Sequence, residues 1–331
     1  MHNATVMPGR TAGCPDRRRR PGIAAALSLL AAVLIGSALT GCSTAGGDTG
    51  DAASGKKTAA NAGWPDAVPK TGLAKGMVLP LEAYMETYPE TVTIQRAVIR
   101  LETQCMAGYG FHVSLPPAGM TPPPNNDDSN MARRYGITDR DAAAKLAYSI
   151  GDDDRTPPPA PKLTGAEVAV LTGHVAMKPD AAKAPSTFHG KAVPDGGCGQ
   201  QAMDKVGLGR IDTSVAGRLD ADSMSTSQAD PRVQAVIAAW SQCMKRSGYS
   251  VDSPLHAADL ARTATGGHPT AASVQVATTD IDCKARTGLV KTWFDVESAV
   301  QRQQVEQNQF ALQDARDRIT ATVKTAAAVT S

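Results

Sequence analysis

The stretch that most limits what this chain can become is Ile23–Leu39, seventeen residues without a charge. It follows Arg17–Arg20 and closes on Leu39-Thr40-Gly41-Cys42. A positive n-region, an apolar h-region and small residues at the cut make a secretory signal. Taken instead as an uncleaved membrane helix, the run sits at the short end of the spanning range, and Gly36, Ser37 and Gly41 weaken its far end. Export also changes the meaning of the charge. The chain carries 34 basic and 32 acidic residues, of which residues 1–41 hold Arg10, Arg17–Arg20 and Asp16. The remainder has 29 against 31, a net of −2, so the basic excess belongs to the leader. No nucleic-acid partner and no polybasic membrane face is expected.

The four residues Leu39-Thr40-Gly41-Cys42 resemble the lipobox of bacterial lipoproteins. That resemblance implies diacylglyceryl transfer to the Cys42 thiol and cleavage before it. The mature chain would then begin at a lipidated Cys42, with the membrane as its first partner. Two or three acyl chains, at about 0.8 kcal/mol per buried methylene, hold a protein on a bilayer stably. Residues 43–63 are small and polar and read as a tether with a reach of roughly 25 Å. The expected organisation is a signal over 1–41 and a lipidated cysteine with tether over 42–63. A first helical unit over 64–228 and a second over 229–331 follow.

With Cys14 in the leader and Cys42 acylated, Cys105, Cys198, Cys243 and Cys283 remain. Four cysteines in an exported chain read as two disulfides, for which three pairings exist. An internal echo favours one of them. Residues 95–113, QRAVIRLETQCMAGYGFHV, and 233–251, VQAVIAAWSQCMKRSGYSV, are identical at eight of nineteen positions. In both copies a helix carries a cysteine near its end, followed by glycine and an aromatic. Each is followed downstream by one more cysteine. One bridge per unit gives Cys105–Cys198 and Cys243–Cys283.

The remaining pattern is helical. Proline suits the first helical turn, and Pro89 opens a helix with apolar residues at Ile94, Val98, Leu101 and Cys105. Thr138 is read as the cap of a helix running towards Tyr148. Thr164 with Glu167 caps another that stops at Gly173. A third follows Cys198 to Val206, and residues 210–228 are a weaker candidate. His189–Val193 is read as a short strand with nothing to pair with. Leu115–Asn130, Gly151–Pro161 and Lys178–Asp195 are Pro-rich or polar loops. Beyond Pro269, Ile281, Ala285, Leu289, Trp293, Val296 and Val300 form the stripe of one long helix with a soft point at Gly288. About forty-five residues would span roughly 70 Å, part of it projecting or packed on one side only. The fold class is mainly α: an irregular, disulfide-stapled helical domain with long Pro-rich loops and a long C-terminal helix.

Motifs for chemistry are missing. His112, His174, His189, His256 and His268 contain no pair at helical spacing, and there is no C-x-x-C or H-E-x-x-H. No metal site, cofactor or catalytic residue is therefore assigned. Asp152–Asp154 lacks the alternating ligands and glycine of a calcium loop. Asp280 with Lys284, and Asp282 with Arg286, are read as simple i,i+4 helix support. Trp240, Tyr249, Trp293 and Phe294 are read as core beside the second bridge.

The pattern Trp240-x-x-Cys243-Met244-x-x-x-Gly248-Tyr249, with Asp280-x-x-Cys283-Lys284 and Trp293-Phe294-x-x-Glu297-Ser298, resembles a group of secreted actinobacterial lipoproteins. The resemblance implies export, anchoring, disulfides and a long C-terminal helix, and no active site. Glu102 stands in the first copy where Trp240 stands in the second. The expectation is a lipid-anchored, non-enzymatic protein on the outer face of the cell membrane. It would bind an envelope partner, in one version through its polar C-terminal helix. The alternatives are an envelope hydrolase without a recognisable motif and a ligand-binding lipoprotein of a transporter.

Overall fold

The structure is a computed structural model that describes residues 64, 66–120, 131–149, 159–178, 180–261 and 269–331. Cys42, the leader, the tether, Asp152–Asp154 and His268 lie outside the described residues. All the described residues belong to one compact unit. They form a mainly helical body. Its helices are α1 (Tyr88–Gly108), α2 (Arg140–Leu146), α3 (Gly165–Thr172), α4 (Gly197–Val206), α5 (Ser214–Gln228), α6 (Pro231–Arg246), α7 (Ala271–Thr287), α8 (Leu289–Gln307) and α9 (Gln309–Thr330). Short 3-10 turns at Pro80–Tyr84, Leu208–Arg210 and Pro254–Ala261 connect them. Among the described residues, no helix is long and apolar enough to cross a membrane.

Local chemistry explains where most helices begin. The Glu90 carboxylate takes the Thr87 backbone N–H at 2.9 Å, and Pro89 occupies the first turn of α1. Asp230 accepts from the Arg232 backbone N–H at 2.8 Å ahead of α6. Thr164 and Glu167 cap α3 reciprocally, and Gly173 ends it at φ +70°. At α2 the cap is Asp139, which accepts from the Asp141 and Ala142 N–H groups. The expected cap, Thr138, is instead buried and donates its hydroxyl to the Ala132 carbonyl at 2.6 Å. A carboxylate one residue on is the better acceptor for two N–H groups at a helix start.

The two sequence copies end in the same turn. Phe111 N–H donates to Met106 O at 3.1 Å, and Tyr249 N–H donates to Met244 O at 3.0 Å. Gly110 and Gly248 both take left-handed φ, +85° and +89°. Both methionines are fully buried. The bonded pairs are Cys105–Cys198 and Cys243–Cys283, each with Cα atoms 5.7 Å apart. The copies diverge beyond the turn, because Cys198 lies in the first turn of α4 whereas Cys283 lies near the end of α7.

Two expectations about elements are corrected. The strand at His189–Val193 does have a partner: Thr187–Phe188 (β1) pairs antiparallel with Lys191–Ala192 (β2) through a His189-Gly190 turn. The single C-terminal helix is three. Gly288 takes φ +65° and separates α7 from α8, and Asn308, at φ −119° and ψ 18°, separates α8 from α9. Each segment has its own neighbours: α7 lies on α2 and α6, and α8 on α5 and α6. α9 lies on α1 and α4, with Leu312, Ala315, Ile319 and Ala326 buried and Phe310 exposed on the far side.

The largest apolar cluster gathers Trp240, Met244, Leu289, Val290 and Trp293 around the Cys243–Cys283 bridge, with Tyr249 and Phe294 against its edge. A second joins Ile94, Ala97 and Val98 of α1 to Ala202 and Val206 of α4 and Ala326 of α9. A third surrounds the other bridge with Met106, Val170 and Leu171. Trp240 and Trp293 are fully buried, and each ring withdraws on the order of 200 Å² from water.

Candidate functional site

Segment Met131–Thr138 runs against α5, α7 and α8 and joins two ionic networks, the first through the Arg134 and Tyr135 side chains and the second through the Ile137 carbonyl. In the first, Arg134 Nε lies 3.0 and 3.1 Å from the two Glu297 carboxylate oxygens. Its guanidinium also reaches Asp220 at 2.9 Å. Tyr135 OH donates to Glu297 Oε2 at 2.7 Å, and Ser223 Oγ donates to Oε1 at 2.9 Å. Gln301 Nε2 bonds Ser223 and Asp220, while its Oε1 accepts the Leu81 backbone N–H at 3.0 Å. Tyr135 stacks on Trp293 with centroids 5.0 Å apart.

In the second network Asp280 accepts from Trp240 Nε1 at 2.9 Å, Lys284 Nζ at 3.1 Å and Tyr148 OH at 3.2 Å. Lys284 Nζ also donates to Ile137 O at 2.9 Å. Gly136 is required between the two networks. Its φ is +79°, and a β-carbon there would lie 2.7 Å from Lys284 Nζ and 2.9 Å from Pro254 O.

Asp280, Lys284 and Glu297 are completely buried. Burial lowers the Lys284 ammonium and raises the Asp280 carboxyl, each opposed by the other's charge. Burial also raises the Tyr135 and Tyr148 phenols, reinforced by the carboxylates they touch. At Arg134 burial works against the charged form, but Glu297 and Asp220 outweigh it and hold the guanidinium above its ordinary value. The acceptors here are filled by the protein's own donors, an arrangement suited to fixing a fold. Asp280 and Lys284 do pair at i,i+4, but in the interior, where the pair also holds Trp240, Tyr148 and the Ile137 carbonyl and so does more than support its helix. Asp282 bonds Arg140 at 2.8 Å, leaving Arg286 to lie over the second bridge, 3.0 and 3.3 Å from Cys243 and Cys283 Sγ.

A cleft of about 320 Å³ opens on the outer side of this segment, lined by Arg133, Arg134, Tyr148 and apolar groups of the Pro254–Ala261 turn and α5. Arg133 Nη2 donates to Tyr148 O at 3.0 Å on its rim. Among the described residues, no group of three His, Cys, Asp or Glu side chains is placed to hold a metal ion. The four bridge cysteines come together as two pairs.

Sequence reasoning missed Arg133, Arg134, Tyr135, Tyr148, Asp220, Ser223 and Gln301. Arg134 lies 163 residues from Glu297 and 86 from Asp220. One signal was present: Glu297 and Gln301 follow Trp293 at intervals of four, so they share its buried face and require internal partners. No protein-family model matches the chain, and comparison with curated proteins and with solved structures finds no match either.

Proposed function

We propose that the mature chain is a lipid-anchored, non-enzymatic protein of the outer membrane face that works by binding. The observation that carries this reading is the use of cysteine. The four that follow the Leu39–Cys42 site are all consumed in two bridges, and such bridges persist in oxidising compartments. The two buried ionic networks fit a structural role, because Arg134 holds Glu297 and Lys284 holds Asp280. The tether over 43–63 would lift the body from the bilayer and leave the outer face of α9 open to an envelope partner.

Two measurements test the two halves of this proposal. Labelling cells with an alkyne fatty acid should mark the wild-type protein and leave the Cys42→Ala protein unmarked and released; an unmarked wild type would end the anchoring reading. The partner is tested by substitution on α9. Deleting residues 301–331 would also strip Leu312 and Ile319 from the core, whereas Phe310 is 92% exposed. A Phe310→Asp change should alter the set of crosslinked envelope proteins, and an unchanged set would count against α9.

A further inference from the structure

We propose that Cys105–Cys198 is an exchangeable bridge, the point at which a protein dithiol of the envelope reduces this chain, and that Cys243–Cys283 is permanent. The assignment rests on export but on neither the anchor nor the α9 partner. It begins with a difference in access. Cys243 and Cys283 are both buried, and Arg286 lies across their sulfurs. Cys105 is only half-buried near the end of α1, while Cys198 is wholly interior. A thiolate from outside therefore has an approach to Cys105 and none to the second bridge.

The leaving side is prepared as well. Cys198 stands in the first turn of α4, and among the described residues no side chain caps that helix. Backbone N–H groups at a helix start stabilise a thiolate formed there. Glu102 sits one turn before Cys105 on α1. Its carboxyl reaches the same turn of α4, where a β-carbon on Gly199 would lie 3.4 Å from Oε1. Burial alone shifts its acidity; Glu167 of α3, Asp204 and Lys205 of α4 and Lys324 of α9, on the helices packed against α1, do not act on it. The two halves also stay in register without the bond. Tyr109 OH donates to the Ala192 carbonyl at 2.5 Å and Lys191 Nζ to Gly108 O at 2.7 Å, tying the end of α1 to the hairpin that leads to Cys198. Gly197 presses its backbone on the end of α3, where a β-carbon would lie 2.5 Å from Leu171 O.

In the exchange, a partner thiolate attacks Cys105 Sγ and the Cys105–Cys198 bond breaks. Its electron pair leaves on Cys198, which then takes a proton from water. The partner's second thiolate attacks the mixed disulfide and frees Cys105 as a thiolate. The chain gains two electrons, and the partner's dithiol becomes a disulfide.

The test exposes the purified, undenatured protein to excess dithiothreitol, traps thiols by alkylation at intervals and maps them by peptide mass, so that Cys14 and Cys42 are scored apart. Cys105 and Cys198 should be alkylated more than about tenfold faster than Cys243 and Cys283, with far-UV circular dichroism unchanged. Both bridges opening together, or the second opening first, overturns the proposal. Glu102→Gln separates direct attack from unfolding. A charged Glu102 opposes the thiolate forming on Cys198, so the substitution should leave the rate at pH 6 unchanged and raise it several-fold at pH 8. Opening that waited for unfolding would instead be slower in the variant at pH 8, because removing a buried charge stabilises the fold. A slowed or unchanged rate at pH 8 therefore also overturns the assignment.

Discussion

At the scale of single residues, two groups have opposite fates. Glu297 is fully buried yet surrounded by Arg134, Tyr135 and Ser223, so its charge is matched. Arg134→Ala would leave that carboxylate inside without its cation, and a loss of about 3–5 kcal/mol is expected in urea unfolding. The double change Arg134→Met with Glu297→Leu should recover only part of it, since the desolvation cost of the ion pair is gone while the buried Tyr135 hydroxyl loses its acceptor. Glu102 occupies the place that Trp240 fills in the other copy, against α4. A β-carbon on Gly199 would come within 3.4 Å of its Oε1. Burial raises its carboxyl to about 7. The folded protein therefore binds a proton that the unfolded chain releases near pH 4.5, and stability falls as pH rises between those values. Glu102→Gln should match the wild type at pH 4 and exceed it by on the order of 2 kcal/mol at pH 8, measured by denaturant melts. Equal stability at both pH values would contradict the shift.

Elements were the level at which the sequence was most legible. Thr164 with Glu167, Pro89 and Asp230-Pro231 all mark helix starts, because capping is decided by three or four neighbouring residues. At α2 the cap fell one residue later than expected, on Asp139, whose carboxylate accepts two N–H groups while the Thr138 hydroxyl turns to the Ala132 carbonyl. The three-way division of the C-terminal run was half legible: Gly288 showed in the sequence and Asn308 did not. At Gly288 a β-carbon would meet nothing within 4 Å, so the cost of Gly288→Ala is the left-handed backbone alone. About 1 kcal/mol is expected, with an unchanged urea m-value. The two bridges supply a comparison at the same scale. They span 93 and 40 residues, so removing Cys105–Cys198 by paired alanines should cost about 0.7 kcal/mol more than removing Cys243–Cys283 if chain entropy governs.

Across the whole molecule, long-range bonds tie early segments to late ones. Arg316 of α9 bonds the Met85 carbonyl and the Glu90 carboxylate, and Gln301 of α8 holds the Leu81 N–H. Unfolding should therefore be a single transition, with tryptophan fluorescence from Trp240 and Trp293 coincident with far-UV circular dichroism. Two separated transitions would show that the halves melt apart. What the sequence determined by itself was short-ranged or categorical: the helical period, the caps of α1, α3 and α6, the repeated turn and a repeat that pairs its cysteines. Those follow from neighbours along the chain or from a count of groups that must find partners. Only the tertiary structure decided that Arg134 meets Glu297, that Lys284 is interior and that a cleft stands beside them. Such contacts join residues more than a hundred positions apart, and nothing in a local pattern specifies which distant group will fill a buried charge.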